Sequence, residues 1–274
     1  MVADKCEDKT TMITEAEVAA YHRDGYVVPA GFRFSGKELE VLRAALDGVL
    51  SDNPDILPDR LMNPHLNGGK PYGVQGQKAF HALVHDVRIL DMAEAVMGPD
   101  LVLLFTHLFC KPAESTRRVL WHQDGPFWPV TPLASVTVWL ALDNVDTDNG
   151  AMQVIPGSHR GDYHDLTLID DPDSTLNRKI DADEIDESKA HVIELEAGQV
   201  SLHDIGIVHG SAANNSKRRR AGLALRYMPA TSWVYREMPD ASADWSTLPI
   251  EMVRGQNRHE GNDFTLGEFG RPWL

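Results

Sequence analysis

The chain has 274 residues, with 26 Lys and Arg against 41 Asp and Glu and a formal net charge of −15. Its hydrophobic fraction of 42% is ordinary for a globular protein, and its length predicts a single domain over residues 1–274. The acidic balance argues against a nucleic-acid partner, because phosphate backbones are bound by clustered basic surfaces. No membrane association is expected either, since no stretch approaches about 18 consecutive apolar residues.

The N-terminal segment is polar. Residues 1–12 predict a disordered leader and show none of the apolar core of a secretory signal. The two cysteines, Cys6 and Cys110, cannot make a disulfide framework. Reduced thiols and a cytoplasmic location are therefore expected. Nothing in the sequence marks an oligomer interface, so the oligomeric state stays open.

Three helices are predicted in the first hundred residues. Capping boxes at 14–17 and 35–38 each predict the start of a helix. The first of these helices is expected to end at Gly25, a residue that adopts the left-handed conformation easily. A third helical pattern spans 87–97, and the Pro-, Gly- and Asn-rich stretch 52–77 before it predicts a long loop.

From residue 101 the pattern changes to short strands separated by turn residues. The strand-like segments are 101–109, 119–123, 135–142, 151–155, 191–195, 199–204 and 222–228. Within 135–142 the residues alternate between two faces, with Val136 on one and Trp139 on the other. Strands at this density predict a mainly β fold, a double-sheet jelly roll or barrel with packing helices. The acidic stretch 165–190 predicts an inserted loop or lid.

The sharpest chemical motif is VLWHQDGPFW at 119–128. His122 and Asp124 are two residues apart, so on a strand both side chains would point to the same face. An imidazole and a carboxylate on one face are two neighbouring ligands for a borderline divalent metal. Because H-x-D arises often by chance, a third ligand from another strand is needed to complete a 2-His-1-carboxylate site.

A second motif lies in SLHDIGIVHGSAANNSKRRRAGLALRYMP at 201–229. His209, in a predicted turn, could supply the third ligand, and Arg220 follows it at the start of the next strand. A 2-oxo dicarboxylate that chelates a metal needs a fixed cation for its distal carboxylate, and Arg serves with paired hydrogen bonds. His203 and Asp204 are rival ligands, but adjacent strand residues point to opposite faces. Structural, hydrogen-bonded roles are expected for these two.

These residues resemble the phytanoyl-CoA dioxygenase family of Fe(II)- and 2-oxoglutarate-dependent oxygenases. The resemblance runs from about residue 13 to 229 and rests on HRDGYVV at 22–28, FCKPA at 109–113, HQD at 122–124, NGAMQVIPGSHRG at 149–161 and HGSAAN at 209–214. It implies a double-stranded β-helix core of the jelly-roll, cupin-like type. It also implies Fe(II), 2-oxoglutarate and O₂ as cofactor and co-substrates, with succinate and CO₂ released as a substrate C–H bond is hydroxylated.

The resemblance also assigns the iron ligands. His122, Asp124 and His209 match the family's metal-binding positions and are the predicted catalytic residues. Relatives that halogenate lack the carboxylate, which makes room for a halide. The presence of Asp124 in this sequence therefore favours hydroxylation.

Contacts to the co-substrate follow from the same resemblance. Arg220 matches the residue that binds the distal carboxylate of 2-oxoglutarate. Trp139 matches a Trp that lines the co-substrate site, and His107 matches a position beside it. In the loop before the third helix, Gln75 is a further predicted contact, with Gln77 and Lys70 as alternatives.

Substrate contacts are predicted from position and residue type. If 220–226 is one regular strand, Arg226 shares the inward face of Arg220 and could bind an anionic group, or could pair with an internal carboxylate. The aromatic residues Trp121, Phe127, Trp128 and Trp233 could form a cage for a quaternary ammonium group, or could belong to the core. The predicted substrate contacts are Arg226, Trp128, Asn63 and His65.

The sequence thus predicts a dioxygenase that hydroxylates a small polar metabolite such as a phosphonate, an amino-acid-like compound or a quaternary ammonium compound. A CoA thioester fits less well, because its phosphates would need a basic patch and little outside 217–220 supplies one. The alternatives from another class are a non-oxidative metal-dependent jelly-roll enzyme and a ligand-binding module. Fold and metal ligands do not choose among substrates.

Overall fold

The computed structural model describes residues 12–68, 73–238 and 245–265. Cys6, Lys70 and the predicted leader lie outside these residues, except for Met12 at the end of the leader, which packs against the core. The described helices are α1 Glu15–Asp24, α2 Gly36–Asp52, α3 Lys78–Val84 and α4 Val87–Met97. None of them is long and apolar enough to span a membrane.

The strands follow and partly interleave with these helices. They are β1 Tyr26–Val27, β2 Leu61–Met62, β3 Leu101–Lys111, β4 Val119–His122, β5 Val130–Thr131, β6 Val136–Ala141, β7 Met152–Val154, β8 Thr167–Leu168, β9 Arg178–Lys179, β10 His191–Ile193, β11 Val200–Asp204, β12 His209–Ser211, β13 Arg220–Pro229, β14 Trp233–Val234 and β15 Glu251–Arg254. Each segment predicted as a strand contains one, with ends shifted by no more than about two residues, as is usual for element boundaries.

Local signals set the helix boundaries as predicted. Both capping boxes form, with the side chains of Thr14 and Ser35 accepting from the backbone N–H three residues on. Gly25 ends α1 with a φ of 82°, in the left-handed region. The residues of α2 at helical spacing are all buried, namely Leu39, Leu42, Ala45, Leu46 and Val49. Helix α3 was not predicted, because its 7 residues are too few to show a helical repeat inside a loop-like sequence.

Two antiparallel sheets form the core. The larger has the strand order β1–β11–β6–β13–β3–β15, with β2 also paired to β3, and the smaller has the order β10–β7–β12–β4. The prediction of a mainly β fold with a jelly-roll core and packing helices is confirmed. On β6, Val136 and Val138 join the main hydrophobic core with the helices, whereas Thr137 and Trp139 face a cavity. This alternation is the one predicted from the sequence.

Gly222 on β13 lies against the ring of Trp139 on β6. A Cβ atom added at Gly222 would lie 2.0 Å from Cζ2 and 2.2 Å from Cη2 of this indole. We therefore expect Gly222→Ala to displace Trp139 and to lower the free energy of unfolding by about 1–3 kcal/mol, the range for overpacking a core. Urea denaturation measures this loss.

Gly36→Ala is the matched control for this substitution. Gly36 is the first residue of α2, and no atom lies within 4 Å of a Cβ added there. This variant should be as stable as the unmodified chain or slightly more so, because Ala favours helix over Gly. Equal stability of the two variants would contradict the close packing of Trp139.

Candidate metal centre and co-substrate cavity

A cavity of about 450 Å³ lies between the two sheets. Strands β3, β6 and β13 of the larger sheet and β4, β7 and β12 of the smaller sheet supply most of its lining. Residues 175–177 of the acidic insert also line it. The volume is within the roughly 300–1,000 Å³ range of sites for small molecules.

The structure brings His122, Asp124 and His209 together on the cavity wall. One ligand atom from each lies within 4.8 Å of the others, and all three side chains are buried. His122 and His209 are direct partners across β4 and β12, with ring centroids 4.1 Å apart. Nε2 of His122 lies 3.4 Å from Oδ1 of Asp124. The proximity of the two histidines is therefore a result of strand pairing.

The backbone conformation at Asp124 differs from the predicted one. Strand β4 ends at His122, and Asp124 has helical angles of φ −68° and ψ −34° at the start of a 3-10 turn over Gly125–Phe127. The expectation that one extended strand carries both side chains is wrong. The turn that contains Pro126 starts directly after the motif, and it ends the strand before the carboxylate. His209, expected in a turn, lies on β12 instead.

Backbone carbonyls orient both imidazoles. Nδ1 of His122 lies 2.8 Å from the carbonyl oxygen of Leu120, and Nδ1 of His209 lies 3.0 Å from that of Ile207. With Nδ1 donating to a carbonyl, Nε2 of each ring is left to coordinate a metal. Burial lowers the pKa of His209 to about 4, which keeps this ring neutral near pH 7 and able to act as a ligand.

Asp124 completes a donor set for a divalent metal. Burial raises its pKa, but the hydrogen bond with His122 and the positive charge of Arg226 are among the effects that outweigh burial, so its pKa lies well below the usual range. Its Oδ2 is buried and accepts no hydrogen bond from the described residues. A bare carboxylate oxygen beside two imidazole Nε2 atoms is the 2-His-1-carboxylate arrangement of non-haem Fe(II) sites.

Arg220 is a buried cation in the same cavity. Its Nη2 donates to the carbonyl oxygen of Gly150 at 2.9 Å, and its Cζ lies 5.6 Å from the ring centre of Trp139. Among the described residues its Nε has no hydrogen-bond partner and its guanidinium forms no salt bridge. Burial lowers the pKa of Arg220 to about 10, so the group stays charged at neutral pH. A buried charge of this kind fits an anionic ligand in the cavity.

His107 also lines the cavity. Its ring stacks on Phe109 with centroids 3.8 Å apart, and its Nε2 lies 3.1 Å from the carbonyl oxygen of Asp59. Burial and the charge of Arg226 lower the pKa of His107 to about 3. The imidazole is therefore neutral, and it offers a polar edge to the cavity without adding a charge.

Within the loop 52–77, the predicted contacts that the structure describes lie outside the cavity lining. The side chains of Gln75 and Gln77 contact other loop and helix residues. Asn63 and His65 both contact Thr106, with Nδ1 of His65 2.7 Å from its Oγ1. Thr106 points away from the cavity, because residues alternate along β3 and its neighbours Phe105 and His107 point inward. This placement gives no support to these loop residues as ligand contacts.

Arg226 lies in a box of aromatic rings. Its Cζ is 4.6 Å from the ring centre of Phe105, 5.2 Å from that of Trp128 and 5.8 Å from that of Phe109. Its Nε and Nη1 are buried without a hydrogen-bond partner in the described part of the chain. The predicted alternative was an ion pair with an internal carboxylate. Arg226 does form such a pair, but at long distance: its Nε lies 3.9 Å from Oδ2 of Asp124. The partner is thus one of the three candidate metal ligands.

Of the four aromatic residues predicted to surround the substrate, two line the cavity and two do not. Phe127 and Trp128 line the cavity, but Trp121 and Trp233 do not. Nε1 of Trp121 donates to Glu187 at 3.1 Å, and Trp233 stacks on His259 with ring centroids 5.2 Å apart. Only two residues of the predicted aromatic cage therefore lie at the cavity.

Sequence reasoning missed several cavity residues. They are Arg60, Phe105, Thr137, Thr175, Leu176, Asn177 and Trp245. The alternation of β6 could have indicated Thr137, which shares a face with Trp139, but Arg60 and Trp245 come from segments without periodicity.

His203 also lines the cavity, and its buried Nδ1 has no partner among the described residues, contrary to the hydrogen-bonded role expected for it. Asp204 has that role, accepting from the backbone of Gly206 at 2.7 Å.

A jelly-roll core with two histidines and one carboxylate between its sheets, beside a buried arginine, defines the class of Fe(II)- and 2-oxoglutarate-dependent oxygenases. The phytanoyl-CoA dioxygenase family matches residues 21–222. The chain belongs to this family. The predicted class of enzyme, with Fe(II), 2-oxoglutarate and O₂ as cofactor and co-substrates, is confirmed.

Relatives in the family carry several activities. The chain is 30% identical over 199 residues to a probable alpha-ketoglutarate-dependent hypophosphite dioxygenase of Stutzerimonas stutzeri, covering 68% of this chain and 66% of that protein. It is 28% identical over 235 residues to an ectoine dioxygenase of Sphingopyxis alaskensis, covering 78% and 76%. The chain thus spans about two thirds to three quarters of the length of these two relatives.

Solved structures support the fold. The non-heme monooxygenase ThoJ in its apo form superposes with a TM-score of 0.69 at 24% identity, covering 90% of this chain and 89% of that one. At this level of identity the likeness extends to the fold, and the chemistry rests on the family match and on the side chains described above.

Proposed function

We propose that this protein oxidises a small substrate that carries an oxyanion group, such as a phosphonate, a phosphinate or a carboxylate. The main evidence for this proposal is the buried side chain of Arg226. The residue is 6% exposed and lines the same cavity as His122, Asp124 and His209. Two of its nitrogens make no hydrogen bond with the described residues. A buried cation with unused donors is costly unless a ligand satisfies it.

In this proposal the three ligands hold the iron. His122 and His209 offer neutral imidazole nitrogens, and Asp124 offers a carboxylate oxygen. When bound, the iron supplies O₂ activation coupled to the oxidative decarboxylation of 2-oxoglutarate. The overall reaction inserts one oxygen atom of O₂ into a substrate C–H or P–H bond and places the other in succinate, with release of CO₂.

The charge balance of the cavity supports an anionic substrate. Arg220, Arg226 and a divalent metal carry one more positive charge than Asp124 and a doubly charged 2-oxoglutarate. Arg60 also lines the cavity, but it is exposed to solvent and does not enter this balance. His107 stays neutral because burial lowers its pKa. One anionic group on the substrate would neutralise the excess positive charge in a buried site, where an uncompensated charge is expensive.

The same geometry argues against a quaternary ammonium substrate. The rings of Phe105 and Trp128 already face the Arg226 guanidinium. A second cation in this box would be repelled by Arg226 at short range in a medium of low dielectric constant. The aromatic residues serve instead to hold the guanidinium by cation–π contact.

One relative and the cavity volume support a small oxyanion. One relative is named for hypophosphite, an inorganic phosphorus oxyanion, and it is 30% identical to this chain. The cavity of about 450 Å³ must hold the metal and 2-oxoglutarate as well, which leaves room for a small substrate only.

A cytoplasmic location remains part of the proposal, in keeping with the buried free thiol of Cys110.

A substrate screen tests the proposal. The purified chain, loaded anaerobically with Fe(II), is mixed with 2-oxoglutarate, air-saturated buffer and one candidate compound, and succinate is measured. The set contains hypophosphite, methylphosphonate, small carboxylates, neutral analogues of matched size and quaternary ammonium compounds. We expect oxyanions to stimulate succinate formation. Stimulation by neutral or cationic compounds alone would refute the proposed substrate class.

Arg220 is proposed to bind the distal carboxylate of 2-oxoglutarate. Arg220→Gln should raise the KM for 2-oxoglutarate about 10–100-fold, because charge-assisted hydrogen bonds contribute about 1.5–3 kcal/mol. Steady-state succinate formation at varied 2-oxoglutarate measures the effect. The control is Arg219→Gln, since Arg219 pairs with Asp143 and Asp47 instead. An unchanged KM in Arg220→Gln would rule out this role.

A further inference from the structure

We propose that His81, His85 and Glu251 form a second divalent-metal site, outside the cavity, that ties helix α3 to strand β15. One ligand atom from each of the three lies within 4.8 Å of the others. His81 lies in α3, His85 caps its C-terminal end, and Glu251 is the first residue of β15. Among the described residues, the only other such group of His, Cys and carboxylate side chains is the cavity triad.

The backbone brings the two histidines to one face. Residues four apart in a helix are neighbours on its surface, which is the spacing of paired histidine ligands in helical zinc sites. The ring centroids of His81 and His85 are 5.1 Å apart. Nε2 of His85 lies 3.1 Å from Oε1 of Glu251, close to the separation of about 3.3 Å between ligand atoms of a tetrahedral zinc ion.

The donor set suits a borderline divalent ion. Two imidazoles and one carboxylate bind Zn²⁺ in many proteins, with water in the fourth position. Water can reach this site, because the side chains of His85 and Glu251 are 35% and 31% exposed. The His81 ring contacts the His85 ring and makes no hydrogen bond with the described residues, so a coordination bond would displace no hydrogen-bond partner.

The surrounding charges are compatible with a bound cation. Burial raises the pKa of Glu251, but the hydrogen bond with His85 and the neighbouring histidines outweigh burial, and the side chain is a carboxylate at neutral pH. His65 lies nearby, and burial lowers its pKa to about 3, so it adds no positive charge. Lys78, one turn before His81, is the cation that contributes to the local field.

A metal at this position would join a helix of the main hydrophobic core to an edge strand of the larger sheet. Strand β15 pairs with β3 at the edge of the larger sheet, and the segment before it contains Trp245 of the cavity wall. Helix α3 follows the long loop after β2. An ion bound by both elements would stabilise the folded chain, since ligands from distant parts of the sequence meet only in the native state. We assign the site a structural role.

Zinc stoichiometry tests this site separately from the iron site. The full chain is stripped with a chelator and equilibrated with Zn²⁺ by dialysis, and bound zinc is counted. We expect two equivalents for the unmodified chain, one for His122→Ala, one for His81→Ala and none for the double variant. The control is His164→Ala, because His164 forms a similar pair with Glu184, at 2.7 Å, without a second histidine. It should retain both equivalents.

Two further measurements keep the test independent of folding defects. Glu251→Gln preserves the shape of the side chain, and it should weaken the second equivalent by at least the roughly 10–100-fold that losing an outer-sphere partner costs. Zn²⁺ should raise the Tm of His122→Ala but not that of the double variant. If folded His81→Ala and Glu251→Gln both bind as much zinc as the unmodified chain, with the same affinity, the second site does not exist and the three side chains form only an ion pair.

Discussion

His122→Ala should abolish 2-oxoglutarate turnover, with succinate formation reduced by at least about 1,000-fold. The substitution removes one of the two neutral imidazole ligands and leaves His209 and Asp124 as a two-donor site. His209 already supplies its one available nitrogen to the site, so it cannot replace the missing donor. Iron bound by two protein ligands would be lost by mass action, and without iron the decarboxylation of 2-oxoglutarate has no catalyst.

The measurement is succinate formation with Fe(II), 2-oxoglutarate, air and the best compound from the screen. Far-ultraviolet circular dichroism shows whether the variant remains folded, which is expected because the strand pairing of β4 with β12 uses backbone groups. His191→Ala, at an exposed position on β10, is the matched control and should keep full activity. Full activity in folded His122→Ala would remove this residue from the metal centre.

Arg226→Met should weaken the binding of substrate without weakening the binding of 2-oxoglutarate. We expect the KM for an oxyanion substrate to rise by about 30-fold or more, because removing one partner of a buried charge pair costs about 2–5 kcal/mol. The KM for 2-oxoglutarate should change little, since Arg220 is the cation proposed for that ligand. Met is long and apolar, so it can occupy the box formed by Phe105, Phe109 and Trp128.

Arg226→Lys provides the second arm of this test. Lys keeps the positive charge but lacks the planar fork that binds two oxygens at once, so it should restore part of the affinity lost in Arg226→Met. Neither variant should be strongly destabilised, because the native guanidinium has two buried nitrogens without a hydrogen-bond partner in the described chain. If Arg226→Met binds the oxyanion as tightly as the unmodified chain, the cation serves the neighbouring carboxylate and does not bind substrate.

The elements that were predicted well depend on contacts within a few residues. The capping boxes at Thr14 and Ser35 satisfy backbone groups one turn away, and the apolar stripe of α2 needs only the helical repeat. The alternation of β6 follows from the pleat of a strand. Helix α3 shows the limit of this reasoning, because it is short and its burial depends on packing against α2 and α4.

The site was only partly predictable. The motifs identified His122, Asp124, His209 and Arg220 as residue types suited to a metal and a dicarboxylate. They did not reveal that a turn, and not a strand, carries Asp124. The placement of Asn63 against the outward face of β3 could not be read from a loop without periodicity. Side-chain direction in such a segment is set by the neighbours it packs against.

The sequence by itself determined the class of chemistry: an H-x-D pair, a distant histidine and an arginine supply suitable ligand types, and the family motifs around them point to the metal and the co-substrate. Tertiary structure decided which other groups share the cavity. Pairing of β13 with β3, and the turn after β4, bring Phe105, Trp128 and Arg226 into one box. Folding likewise brings Glu251 to two histidines that precede it by more than 160 residues. Coordination and charge burial depend on distances of a few ångströms, and only the folded chain sets those distances between residues remote in sequence.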